Sequence, residues 1–187
     1  MRKSTLLLIS FSLFVLISCD KQFENVPLNA SALKSGQTEP ELKSAQLVQN
    51  FRAHMSGDNE VPANMSEATG EVIFQLSKDG MELSYKLIVA NIDNVMMSHI
   101  HLEHPGVNGK IVTWLYPSAP PMMLIPGTSN GVLAEGVITQ ANLVGTLSGK
   151  TIADLVAEIK AGNAYVNVHT SQFGGGEIRG QIMDNVK

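Results

Sequence analysis

Alternation of apolar and polar residues along most of the chain is the feature that most restricts its fold. From residue 46 onward apolar side chains recur at every second position, for example at Phe51, Ala53 and Met55. Successive side chains of a strand point to opposite faces, so this period predicts β-strands that each bury one face. Turn residues such as Asp79-Gly80 separate the apolar runs at short intervals, and short connections favour antiparallel neighbours.

These strands predict an all-β domain over residues 46–187, built as an antiparallel β-sandwich or barrel. One short helix is expected near residues 151–161, where Thr151 can cap the start and Gly162 ends the pattern. The apolar residues of this helix fall at i, i+3, i+4 and i+7; they are Ile152, Leu155, Val156 and Ile159. The stretch 118–130 contains prolines and glycines and is expected to be an exposed loop.

The N-terminus has the pattern of a secretory signal. Two basic residues precede an apolar run from Leu6 to Ile17, which is shorter than the roughly 20 residues that span a bilayer. The run ends at Cys19 in a sequence that resembles the lipobox of bacterial lipoproteins, whose cysteine becomes the first mature residue and carries lipid. We therefore predict a signal peptide over residues 1–18, a lipidated Cys19, and a polar tether over residues 19–45. The alternative is an uncleaved N-terminal anchor.

Charge and cysteine content restrict the partners of the chain. The formal net charge is −4 at pH 7, and loss of the two basic signal residues would make it more negative. An acidic chain is poorly suited to nucleic acid, and no nucleic-acid partner is expected. Cys19 is the sole cysteine, so a disulfide within the chain is impossible. Attachment to a membrane is therefore expected to come from the lipid on Cys19.

Histidines alternate with aliphatic residues in one predicted strand, Val95–Glu103. The aliphatic residues between them would face the core. His99, His101 and Glu103 would then point to the opposite, outward face, with Met97 beside them. Because an outward face is solvated, these side chains need no special partner there.

The two C-terminal strand candidates show the same division between aliphatic and polar faces. In one antiparallel register the outward pairs are His169 with Glu177, Asn167 with Arg179, and Tyr165 with Gln181. Such cross-strand pairs contribute a few tenths of a kcal/mol to about 1 kcal/mol each. If these strands adjoin the strand of His99 and His101, the three imidazoles of His99, His101 and His169 converge.

Two interpretations of this convergence stay open. Two histidines at i and i+2 with a third from another strand can present three imidazoles to Cu or Zn. In that case Glu177 or Glu103 is a further ligand or an outer acceptor that fixes an imidazole tautomer. In the other interpretation His99 and His169 belong to a polar network, in which they hydrogen-bond Glu177 and neighbouring carbonyls and Arg179 completes the charge pairing.

Three ordered motifs resemble the CHRD domain, a family first described in chordin and also found in bacteria. The opening motif contains Phe51-Arg52-Ala53 and Glu60-Val61-Pro62, and the central motif contains Ser98-His99-Ile100-His101. The closing motif runs from Tyr165-Val166-Asn167-Val168-His169 to Gly176-Glu177-Ile178-Arg179-Gly180-Gln181-Ile182. Together the three motifs cover nearly all of residues 46–187.

The resemblance implies an immunoglobulin-like β-sandwich or barrel, with a distant likeness to copper/zinc superoxide dismutase. In that enzyme a His-x-His strand and a later histidine strand bind copper, and His99, His101 and His169 are the matching positions. The chain has no clear counterpart of the metal-bridging histidine or zinc loop of the enzyme, and its disulfide cannot form here. Dismutase activity is therefore not expected.

These observations predict a lipid-anchored, extracytoplasmic CHRD-domain module of the bacterial cell envelope, on its periplasmic side or at the cell surface. Its expected partners are the membrane, through Cys19, and an envelope protein or glycan, and no defined catalytic activity is expected. The alternative is a metal-binding envelope protein that holds Cu or Zn through His99, His101 and His169. An open coordination position on such an ion could support redox chemistry.

Overall fold

A computed structural model describes residues 49–185 of the chain. The predicted signal peptide, Cys19 and nearly all of the sequence before the first strand lie outside these described residues. Within residues 49–185, no helix is long and apolar enough to cross a membrane.

The described part of the chain consists of eight strands and one α-helix, joined by turns and by loops that contain short 3-10 helices. In chain order the elements are β1 (Asn50–Ser56), β2 (Thr69–Leu76), β3 (Leu83–Leu102), β4 (Lys110–Tyr116), β5 (Ile125–Ile138), α1 (Ile152–Lys160), β6 (Ala164–Thr170), β7 (Ile178–Gln181) and β8 (Met183–Asp184).

Five of the strands close into an antiparallel barrel in the order β2, β1, β7, β6 and β3, and the pairing of β3 with β2 completes the circle. The long β3 takes part in both halves of the barrel. Its first half pairs with β2 and β5, and its second half pairs with β6 and β4. The predicted all-β barrel is therefore confirmed.

Apolar side chains from alternate strand positions fill the barrel. Phe51, Val72, Leu87 and Ile100 are fully buried, and burial of each such side chain contributes about 1.5–3 kcal/mol. Helix α1 covers part of this core with its four predicted apolar residues, all of which are buried. Thr151 and Asp154 form a reciprocal capping box at its start, which satisfies backbone donors that the first turn leaves free. The helix prediction is confirmed.

Strand β3 is longer than the predicted strand Val95–Glu103, because it already begins at Leu83. Asn91 and Asn94 have positive φ angles of 56° and 52°, a conformation that asparagine tolerates better than most residues. They lie at register shifts against β5, so the strand bends there and continues. The predicted loop at 118–130 is also partly wrong, because β5 already begins at Ile125.

Close packing of β7 against β1 gives a testable result. A Cβ added to Gly180 would lie 2.2 Å from the backbone oxygen of His54, whereas one added to Gly175 would meet nothing within 4 Å. We expect Gly180→Ala to destabilise the protein by about 1–3 kcal/mol, because a backbone atom must shift. Gly175→Ala is the matched control and should change stability little. Chemical denaturation measures both, and equal effects would contradict this packing.

Candidate metal centre

The pairing of β3 with β6 brings three histidines onto one face. In this register Met97 lies opposite His169, His99 opposite Asn167, and His101 opposite Tyr165. Directly opposite residues of an antiparallel pair share a face. Ile100 and Val166, also opposite one another, point into the core instead. The aliphatic residues therefore fix the direction of the histidines, as the sequence predicts.

The three imidazoles lie close enough to hold one metal ion. His99, His101 and His169 each offer one ring nitrogen, and these nitrogens all lie within 4.8 Å of one another. His99 Nδ1 and His169 Nε2 lie 3.3 Å apart. The sequence expectation that the rings converge is confirmed.

Backbone carbonyls fix the tautomers of two of these rings. His101 Nδ1 donates to the oxygen of Gly109 at 3.1 Å, and His169 Nδ1 donates to the oxygen of Gly174 at 3.0 Å. A carbonyl cannot donate, so in the neutral rings the proton lies on Nδ1 and Nε2 carries a free lone pair. Within residues 49–185, the Nε2 atoms of His99 and His101 are buried and make no hydrogen bond. The cluster therefore presents nitrogen lone pairs that the protein does not satisfy.

The histidine face is buried, which corrects the expectation of a solvated face. His99 is 0% exposed, His101 7% and His169 6%. Half-buried Trp114 on β4 packs edge-on against His99, with ring centroids 4.3 Å apart. Tyr165 stacks on His101 at 4.9 Å, and the guanidinium carbon of Arg179 lies 3.4 Å from the Tyr165 ring centroid. Aromatic rings and a cation therefore cover the face that sequence alternation alone leaves open.

Burial keeps the imidazoles neutral at pH 7. Desolvation lowers the pKa of His99 to about 3, helped by the neighbouring His169 and His101. Desolvation also lowers the pKa of His101 to about 4, although its hydrogen bond to Gly109 opposes the shift. The pKa of His169 is lowered for the same reason, against its bond to Gly174. Neutral imidazole is the form that binds metals.

Arg179 and Asn167 lie beside the cluster, opposite one another as predicted. Arg179 is 2% exposed and donates to Asn108 Oδ1 at 3.1 Å and to the oxygen of Val107 at 2.7 Å. It thereby holds the loop after β3 against the aromatic stack. Asn167 interacts with His101 and raises the pKa of its imidazole slightly against the dominant burial effect.

The carboxylates of Glu177 and Glu103, which the sequence analysis placed beside the histidines, are bonded to other groups. Glu177 accepts hydrogen bonds from Ser66 Oγ and Thr170 Oγ1, both at 2.6 Å. Glu103 is paired with its neighbour His104 at the surface. The tautomers of the clustered rings are instead fixed by glycine carbonyls, which have no side-chain signal in the sequence.

Glu60 is a feature that the sequence analysis missed. Its side chain is 6% exposed, and its Oε1 is buried without a hydrogen-bond partner within residues 49–185. Burial raises the pKa of Glu60 to about 7, although the Arg179 charge and a backbone bond from Val61 oppose the shift. Glu60 and Arg179 line a cavity of about 400 Å³. The signal available in the sequence was its place in the Glu60-Val61-Pro62 motif.

The fold and this site define a β-barrel module that carries a cluster of three buried imidazoles. A family model described as the CHRD domain matches residues 51–182, so the chain belongs to the CHRD domain family. Membership of this family supports the interpretation of the domain as a β-rich binding module. Comparison with curated proteins found no match, and comparison with solved structures found none.

The raised pKa of Glu60 predicts a pH-dependent stability. The folded protein keeps the Glu60 proton up to about pH 7, whereas the unfolded chain loses it near pH 4.5. Folding at this site therefore becomes less favourable as the pH rises between those values. We expect Glu60→Gln, which stays neutral, to gain at least about 1 kcal/mol of unfolding free energy relative to wild type between pH 5 and pH 8.

The measurement is urea denaturation at pH 5 and pH 8, and the matched control is the exposed Glu67→Gln. The histidines contribute equally to wild type and variant, so the difference isolates Glu60. A stability difference that does not change with pH would show that Glu60 titrates alike in both states.

Proposed function

We propose that this protein is a lipid-anchored metal-binding module of the bacterial cell envelope, in which His99, His101 and His169 hold one copper or zinc ion. The observation that carries the proposal is the convergence of three neutral, buried imidazoles, two of which, His99 and His101, have an Nε2 atom with no hydrogen-bond partner within residues 49–185. Buried polar atoms are nearly always satisfied, so such a cluster requires an explanation. A metal ion bound by the three imidazoles would supply this explanation.

The geometry of the closest pair fits an ion. Two nitrogens bound tetrahedrally at about 2.0–2.1 Å lie about 3.3 Å apart, and His99 Nδ1 and His169 Nε2 are separated by 3.3 Å. Because His169 carries its proton on Nδ1, the proton in this contact belongs to His99 Nδ1. Binding through His99 Nδ1 would require this proton to move to Nε2 of the same ring, so that the imidazole stays neutral, which is the form that binds metals.

The surroundings also support a metal site. Metal-binding histidines typically donate their other ring nitrogen to a carbonyl or carboxylate, which fixes the ring and raises its basicity. Gly109 and Gly174 accept such bonds from His101 and His169. Three histidine ligands leave a fourth tetrahedral position for another group. We propose binding as the function, and catalysis is not required by it.

The proposed location comes from the N-terminal sequence. The signal pattern over residues 1–18 and the lipobox at Cys19 support export and attachment to a membrane. The tether over residues 19–45 would separate the barrel from the lipid surface. The second candidate function, a module that binds an envelope protein or glycan without metal, is supported by membership of the CHRD family.

Metal titration separates the two candidates. We expect the full chain, carrying Cys19→Ser so that no thiol competes, to bind one equivalent of Cu(II) or Zn(II) and to melt at a higher temperature when loaded. His99→Ala and His169→Ala should weaken binding by more than about 100-fold, since loss of an outer partner alone costs about 10–100-fold.

The control is His54→Ala, because His54 is exposed and bonded to Glu71. It should bind like the parent protein. Parent binding that is no tighter than that of the two site variants would exclude the metal function and leave the module that binds a protein or glycan.

Fractionation of bacterial cells that express the chain tests the anchor. We expect the wild-type protein to incorporate labelled fatty acid and to sediment with membranes in a form that lacks residues 1–18. Cys19→Ser should incorporate no fatty acid, because the acceptor sulfur is gone. Equal labelling of both forms would contradict lipidation at this residue.

A further inference from the structure

The register of β3 places a thioether on the histidine face. Met97 lies directly opposite His169 and two residues before His99, so the three side chains share a face. The Cβ atoms of a directly opposite pair lie about 4.5–5.5 Å apart. Met97 is half-buried, and methionine has three rotatable bonds that let its sulfur adapt to a neighbouring group.

An irregularity in β3 is responsible for this placement. Val95 is fully buried in the core, and strict alternation would send Met97 into the core with it. The register against β6 shifts between Val95 and Met97, and such a bulge redirects the following side chains. Met97 therefore faces the same way as His99 and His101.

From this arrangement we propose that Met97 is the fourth ligand of the three-histidine site and makes it select Cu(I) over Zn(II). The inference rests on the metal-binding function proposed above. Thioether sulfur is a soft ligand that favours Cu(I), while imidazole accepts copper and zinc alike. Four neutral ligands from Met97 and the three histidines would complete a tetrahedral site.

The charge balance of the site favours the monovalent ion. Within residues 49–185, no carboxylate joins the three imidazoles in a metal-binding group. The cost of burying an ion grows with the square of its charge, so a divalent ion without an anionic ligand costs about four times as much to bury as a monovalent one. The guanidinium carbon of Arg179 lies 3.4 Å from the centroid of the Tyr165 ring, which stacks on His101, and this nearby positive charge disfavours further positive charge at the site.

Exposed methionines lie at the same end of β3. The backbone N–H of Met123 donates to the oxygen of Met96 at 3.1 Å, which holds the segment before β5 against the strand. Met122 and Met123 are 56% and 55% exposed. Because its side chain is exposed, Met123 provides a control for the half-buried Met97.

The test compares Cu(I) and Zn(II) binding by Met97→Leu and by the parent full chain with Cys19→Ser. Anaerobic competition with bicinchoninate measures Cu(I), and a chromogenic zinc chelator measures Zn(II). We expect Met97→Leu to weaken Cu(I) binding about tenfold or more and to leave Zn(II) binding within about twofold. Met123→Leu is the matched control, because Met123 is exposed and should affect equilibrium affinity little.

X-ray absorption of the Cu(I)-loaded parent protein keeps the test independent of how well the variant folds. A sulfur scatterer on copper is expected in the parent and absent from Met97→Leu. Unchanged Cu(I) affinity in Met97→Leu, tighter Zn(II) than Cu(I) binding by the parent, or a copper shell of nitrogen alone would overturn the inference and leave the three-histidine site intact. Failure of the parent to bind either ion would instead overturn the proposed function.

Discussion

The antiparallel pairing of β3 with β6 is the constraint on which the site depends. It sets His99 and His101 beside His169 and directs Ile100 and Val166 into the barrel on the other side. A slip by one residue would exchange the two faces, placing imidazoles in the core and aliphatic side chains beneath the loops. Burial of the aliphatic side chains thus fixes the register between β3 and β6, and this register keeps the three imidazoles close together.

Burial of this cluster has an electrostatic cost that the surrounding groups partly offset. Glycine carbonyls accept hydrogen bonds from His101 and His169. Trp114 and Tyr165 pack against the imidazole rings and exclude water from them. Arg179 is the buried cation of this region, and its hydrogen bonds go to the loop after β3. The result is a buried, neutral set of three imidazoles beside a fixed positive charge.

Local periodicity was sufficient to predict three features of the fold. Strand alternation predicted the barrel and the common face of the three histidines, and the i, i+3, i+4, i+7 spacing predicted the helix. Local periodicity did not predict the features that depend on contacts between segments distant in the sequence. The loop that covers the face is held by Arg179, more than 70 residues further along the chain, and no local pattern encodes that contact. Pro126 and Gly127 suggested a loop, yet β5 pairs only with β3, and a strand with a free edge tolerates proline. The shift beside Met96 likewise has no sequence signature.

The backbone carbonyl of Gly109, which accepts a hydrogen bond from His101, limits how the sequence of this site can vary. A Cβ at Gly109 would lie 1.9 Å from the backbone oxygen of Leu102, so this position admits no side chain. Its carbonyl cannot be deleted by exchanging one residue for another, as a carboxylate partner could be. Any replacement that removed the acceptor would first have to distort the chain itself. A chain that keeps this fold therefore also keeps the carbonyl that orients the His101 ring.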